Sequence, residues 1–219
     1  MMGLVRCFGL LGLAVLTGCG TDRDAFQSEL LSRVSTIGKS APELPPIRAR
    51  LTPTLLAAIP GAILIVEVPN RGAEAGAQII REGRGHVIWS TLNEIQFTFR
   101  DGVLSSTRGL GGDLISSDLD EVVPAVRGAR SQATRVHRYL DGEDQIVARA
   151  FICTYERTGG QRVSTVTRSF NTTLVTETCN STDQTIENQY WIDGAGIVRK
   201  SKQWVGPYPE YVNTEWVKD

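Results

Sequence analysis

FRDGVLSSTRGLGGDLISSD, residues 99–118, admits two readings that lead to different proteins. Gly109, Gly111 and Gly112 follow Arg108 closely enough to suggest a loop that cradles a phosphate. Such a loop normally feeds a helix, whose first N–H groups and dipole complete the anion site. Here the chain continues LISSDLDEVVPAVRG, in which Asp113, Asp118, Asp120 and Glu121 make a poor host for an anion, and Pro124 is expected to end any short helical turn. The sequence G-x-x-x-x-G-K-[ST] does not occur. The glycines read better as backbone positions that let a strand leave a sheet and turn sharply. Asp101-Gly102, just before them, is a hairpin signal between two alternating runs.

The same scheme returns twice. YLDGEDQIVARAF and WIDGAGIVRKSKQW, like FRDGVLSSTRGL, place an aromatic shortly before Asp-Gly and an alternating run after it. The pairs Asp101-Gly102, Asp141-Gly142 and Asp193-Gly194 are spaced irregularly, so they predict three hairpins rather than a solenoid. AILIVEV, IQFTF, QIVARAFICTYE, RVSTVTRSF, TTLVTETC, GIVRKSKQW and YVNTEW add runs rich in Val, Ile, Thr and aromatics, bounded by turn residues. Upstream, RLTPTLLAAIP predicts a short helix with Thr52 as N-cap, Pro53 at the first position and Pro60-Gly61 as the stop. Phe26, Leu30, Val34 and Ile37 share one face of an amphipathic helix over residues 24–37. The expected fold is therefore mainly β. It is an antiparallel β-sandwich, or a strongly curved half-barrel-like sheet, with one or two short N-terminal helices.

The chain opens MMGLVRCFGLLGLAVLTGCG. Arg6 precedes an apolar run that is too short for a bilayer span, which takes about 20 residues, and reads as a secretory signal peptide. Leu16-Thr17-Gly18-Cys19 resembles a bacterial lipobox, which makes Cys19 the expected lipidation site. The acyl chains this implies would anchor the protein to a membrane permanently. Gly20, in place of an aspartate, favours the outer membrane under the lipoprotein sorting pattern. The expected organisation is a signal peptide over 1–18, a lipid-anchored helix and linker over 19–50, and a single β-rich periplasmic domain over 51–219. Losing Arg6 moves the formal charge from −1 to about −2, and no basic run points to nucleic acid. Cys153 and Cys179 are then an even pair in an oxidising compartment, best read as a disulfide; neither has a second Cys or His at metal-ligand spacing.

Catalytic signatures are scarce. His86 and His137 lie in no metal spacing and beside no nucleophile motif, and each is expected to face solvent or to satisfy a strand end. Asp113, Asp118, Asp120 and Glu121 do not match an EF-hand loop, and a solvated loop is the expected role. Neither G-x-S-x-G nor H-E-x-x-H is found. No metal or cofactor is expected, and no enzyme activity. Trp204 and Tyr208, beside the turn-like VGPYPEY, are the candidates for an exposed aromatic binding surface, whereas Trp191 is expected to fill a sheet core.

With these residues in view, the chain resembles the YjbF / GfcB-type family of group 4 capsule polysaccharide outer-membrane lipoproteins. The resemblance runs through LTGC, WSTLNEIQFTFRDGVLSSTRGLGGDLISSD and NQYWIDGAGIVRKSKQWVGP. Its most specific residues are Trp89, Asp101, Gly102, Thr107, Arg108, Gly109, Leu110, Gly111, Asp113 and Leu114. The resemblance implies a periplasm-facing lipoprotein that takes part, as a non-catalytic structural or adaptor component, in assembling or exporting capsule or exopolysaccharide. It also implies a soluble periplasmic protein and an outer-membrane β-barrel of the same system as partners. It carries over no catalytic residue. The alternative is a periplasmic module that binds glycan or lipid in an aromatic-lined groove.

Overall fold

The computed structural model describes residues 45–143 and 145–219. Residues 45–219 form one compact unit. The signal peptide, Cys19 and the helix expected over 24–37 lie outside the described residues. Among those described, no helix is long and apolar enough to cross a membrane.

Two short helices, α1 (Ile47–Arg50) and α2 (Pro53–Ala58), precede twelve strands. The strands are β1 (Ile63–Val68), β2 (Ala73–Gly83), β3 (His86–Thr91), β4 (Gln96–Arg100), β5 (Val103–Arg108) and β6 (Ser116–Asp118), then β7 (Gln132–Leu140), β8 (Ile146–Ser164), β9 (Ser169–Asn180), β10 (Thr185–Asp193), β11 (Val198–Gly206) and β12 (Glu210–Lys218). A third helix, α3 (Val122–Val126), lies between β6 and β7. Helix α2 starts as its sequence dictates. The Thr52 hydroxyl accepts from Leu55 N, and Pro53 sits where no N–H is needed.

All strands join one antiparallel sheet in the order β5-β4-β3-β2-β1-β12-β11-β10-β9-β8-β7-β6. Read as a ring, this is a simple meander. β12 pairs with β1, and the ladder is interrupted between β5 and β6. Of the two expected architectures, the strongly curved sheet is therefore the one formed, and it is nearly closed. At the seam a backbone bond from Thr107 N to Leu114 O (2.8 Å) draws the two edges together.

The continuous apolar run of β1 follows from burial on both faces. Leu64, Val66 and Val68 point into the interior with Trp89, Phe97 and Leu104. Ile63 and Ile65 point outward, under Leu51 and Leu56 of the α1–α2 region. The tip of the long β8–β9 hairpin reaches the same outer face. Its strands slip register at Gly159-Gly160, and Val166 N then donates to Glu215 Oε1 (2.7 Å) while the Thr167 hydroxyl donates to Val217 O (2.7 Å). Helix α3 buries Val122, Val123, Ala125 and Val126 against Val103, Val175, Tyr190 and Ile192. It is not ended by Pro124, contrary to the sequence expectation. Pro124 falls in the first turn, where a missing N–H breaks no intrahelical bond.

The three Asp-Gly pairs all make hairpins, by two different means. At Asp101-Gly102 both residues take positive φ (53° and 81°) in a two-residue turn flanked by the Arg100–Val103 pair. A Cβ on Gly102 would also lie 2.4 Å from Val198 Cγ2. The other two turns are longer and use the aspartate instead. Asp141 Oδ1 accepts from Glu143 N and Gln145 N (both 2.9 Å), and Asp193 Oδ1 from Ala195 N (2.9 Å) and Ile197 N (3.0 Å).

Candidate functional site

The stretch at residues 107–114 forms the seam loop, and two of its backbone N–H groups, those of Gly109 and Leu110, are already occupied. Asp113 turns its carboxylate back into the loop and accepts from the Thr107 hydroxyl (2.8 Å), Gly109 N (3.0 Å) and Leu110 N (3.1 Å). Thr107 Oγ1 in turn accepts from Leu114 N (3.0 Å). The loop thus supplies its own anion. Gly109, Gly111 and Gly112 take positive φ (89°, 62° and 86°), and Leu110 and Leu114 plug the interior. Arg71 donates to the carbonyls of Leu110 and Gly111 and lies 4.7 Å from the centre of the Tyr208 ring. Of the remaining family-pattern residues, Trp89 is buried within the sheet and Asp101-Gly102 forms the β4–β5 turn. Arg108 ends β5 on the exposed side.

The residues expected around an aromatic surface separate. Tyr208 is 70% exposed, while Trp204 is 9% exposed and packs edge-on against Tyr211 (ring centres 5.1 Å apart). Trp191 is half-buried, on the face of β10 opposite Tyr190. The acidic residues also disperse. Asp120 pairs with Arg100 (2.6 Å) and Glu121 accepts from Thr134 N (2.8 Å), so they do not converge on one point.

Arg135 and Glu177, which the sequence left unremarked, lie inside the sheet. Alternation along β7 points Ala133, Arg135 and His137 inward, and β9 points Val175, Glu177 and Cys179 inward to meet them. Arg135 grips Glu177 with two parallel bonds, Nε to Oε1 (3.0 Å) and Nη2 to Oε2 (2.9 Å). Tyr155 (2.7 Å), Tyr190 (2.8 Å) and Asn188 (2.8 Å) also donate to the Glu177 carboxylate. Burial alone would raise this carboxyl, but Arg135 and the surrounding donors outweigh it and hold Glu177 below the usual carboxylate range. The same burial, followed by the Glu177 charge, pushes the Tyr190 hydroxyl well above its ordinary value.

His137 departs from its expected role at a surface or a strand end. It is fully buried, bonded to Tyr139 (2.8 Å) and packed edge-on against Phe151. Burial, then the Arg135 charge, lowers its pKa well below 6.5, so the ring is neutral. His86 does sit at a strand end, with Nδ1 3.1 Å from Arg84 O.

A disulfide joins Cys153 and Cys179, which lie opposite each other on β8 and β9 beside Glu177. This trio is the only cluster of His, Cys, Asp or Glu among the described residues close enough to hold a metal. Its sulfurs are bonded to each other and its carboxylate is saturated with donors. On the chain-entropy scale a crosslink of 26 residues stabilises by about 3 kcal/mol. Cys153→Ala/Cys179→Ala should lower the urea-unfolding free energy by about that amount. The folded wild type should leave thiol reagents unreacted until it is reduced, and two reactive thiols would contradict the bond.

At another part of the interior, a cavity of about 440 Å³ opens between the tips of the β2–β3, β4–β5 and β10–β11 hairpins. Trp89 and Trp216 form part of its wall, ring centres 5.4 Å apart and nearly perpendicular. Arg127 braces the mouth, donating to Gly196 O and lying 3.5 Å from Asp101 Oδ1.

Among curated protein sequences none matches the chain. A solved structure, that of the hypothetical lipoprotein YmcC from Escherichia coli (K12), shares the fold with a TM-score of 0.66 at 16% identity, over 92% of this chain and 98% of that one. The family profile described as group 4 capsule polysaccharide lipoprotein GfcB, YjbF matches residues 24–217. With residues 24–217 of the 219 matched, the protein belongs to the YjbF family of group 4 capsule polysaccharide lipoproteins.

Proposed function

We propose that this lipoprotein acts without catalysis, from the periplasmic face of the outer membrane, as a structural or adaptor component of capsule or exopolysaccharide assembly or export. The observation that carries the reading is the family match over residues 24–217. The interior chemistry supports it. Glu177, the most deeply buried carboxylate of the Arg135 network, accepts five hydrogen bonds and is held ionised, so it has neither a proton to give nor a lone pair to spare. Cys19 holds the chain to the membrane. An outer-membrane β-barrel and a soluble periplasmic protein of the same system are its partners.

Deleting the gene should abolish or sharply reduce surface polysaccharide under inducing conditions. The wild-type gene should restore it. Cys19→Ala should not, and should leave the membrane fraction or remain unprocessed. Unchanged polymer in the deletion strain would end the proposal. A folded Arg135→Met/Glu177→Leu variant should complement, because the network is structural; a folded variant that fails would point to chemistry at Glu177.

A further inference from the structure

We infer that the cavity between the three hairpin tips binds a neutral saccharide unit of mono- or disaccharide size. At about 440 Å³ it falls within the range of small-molecule sites, about 300–1,000 Å³. Its walls divide by chemistry. The floor is aromatic and apolar, with Trp89 set edge-to-face on Trp216 beside Phe99 and Leu64. Aromatic walls suit the C–H faces of a pyranose. The mouth carries donors and acceptors together: Glu82, His86, Asp101 and Arg127.

Arg127 and Asp101 face each other across this mouth, and Glu82, His86 and the Trp216 indole supply the further hydrogen-bonding groups. His86 Nδ1 lies 3.1 Å from Arg84 O, and Nε2 is the ring's second hydrogen-bonding atom. Glu82 lies exposed at the end of β2. In the wall, Trp216 Nε1–H is buried and has no acceptor among the described residues. A sugar, with hydroxyls that both donate and accept around an apolar ring face, matches this division. An acyl chain would use none of the polar groups and would strip water from two carboxylates. An acidic sugar is disfavoured by charge. Glu82 and Asp101 face it, and Arg127 is already engaged by Asp101 and Gly196 O.

The mouth is also pre-shaped. Two of its tips are the two-residue turns at Arg84-Gly85 and Asp101-Gly102, and Arg127 ties the second to the third. Fixed walls spare a ligand the cost of ordering them. The site rests on its own geometry, so wild-type polymer in a deletion strain would leave it standing.

The test uses the mature protein, intrinsic tryptophan fluorescence and saturation-transfer NMR. The probes are lactose, cellobiose, N,N′-diacetylchitobiose, digalacturonate and decanoate. At least one neutral disaccharide should give a saturable signal. Glu82→Gln and Arg127→Ala, changes at exposed mouth positions, should each weaken it about tenfold or more while circular dichroism stays the same. Digalacturonate and decanoate should not compete. The proposal is overturned if no neutral disaccharide saturates, if the variants bind as the wild type does, or if digalacturonate or decanoate is the preferred probe.

Discussion

Arg135→Met should destabilise the folded chain by about 3–5 kcal/mol, the usual cost of leaving one member of a buried ion pair without its partner. The substitution keeps an unbranched apolar stem but strands the Glu177 carboxylate in the interior, where both residues are essentially inaccessible to water. Tyr155, Tyr190 and Asn188 can still donate to it, which keeps the loss within that range. Arg135→Met/Glu177→Leu should recover most of the loss, since replacing both charges removes the stranded one. Urea unfolding of the wild type, both single variants and the double variant completes the cycle. Equal and additive losses would show that the pair is not coupled.

The same layer makes stability fall with acid. Glu177 has a lowered folded pKa, so its contribution is present above the unfolded carboxylate value and is lost as pH falls through the folded one. His137, held neutral inside, acts in the same direction and earlier. Its contribution is full above the unfolded value near 6.5 and declines as pH drops below it, because the unfolded ring takes up a proton that the folded ring refuses. Arg135, Tyr139 and Phe151 are the groups packed around the imidazole. His137→Phe should therefore flatten the decline between about pH 6.5 and 5 and leave the steeper carboxylate phase in place. An unchanged slope would place the proton uptake elsewhere.

Asp113→Ala is the second large effect. One carboxylate holds the Thr107 hydroxyl and two backbone N–H groups, and a hydrogen bond to a charged group is worth about 1.5–3 kcal/mol. A loss of about 3 kcal/mol is expected, with Asp113→Asn recovering part of it, since its amide oxygen can still accept. The distinguishing readout is local. Hydrogen exchange at Gly109, Leu110 and Leu114 should accelerate far more than in β1 or β12. Uniform acceleration across the sheet would mean that the loop is not a separate closing element.

Legibility in the sequence followed the range over which each signal acts. The Asp-Gly pairs, the Thr52-Pro53 helix start and the β1 run are local, and they appear where they were expected. β2 and β7 gave weaker signals. AEAGAQIIREG has a half-exposed, alanine-rich pattern, and QATRVHRYL carries polar residues on both faces. That second feature also hid the Arg135 network. An inward-facing arginine cannot be told from an outward one until Glu177, Tyr155 and Tyr190 arrive from three other strands. His137 was misplaced for the same reason. Trp204 belongs to a turn-like context in sequence, yet its backbone N is held by Asn188 Oδ1 (2.7 Å) and its ring packs beside Phe151 and Ile186. The cavity is assembled from hairpin tips far apart in the chain, and no local pattern announces it.

The ring has two interruptions of different kinds, and they fall at different joints. Between β12 and β1 there is no covalent continuity, but the strands are laddered from Ile63 to Glu67 with one register shift. Between β5 and β6 the ladder fails, but the chain runs on through residues 109–115. Every joint is thus secured by backbone or by hydrogen bonds. A nick in the seam loop would remove the covalent tie where no ladder replaces it. The nearly closed ring would lose its tie there, leaving the unladdered edges of β5 and β6 free to part, each a template for a foreign strand. The compact loop around Asp113 is therefore the covalent tie across the one joint that has no ladder.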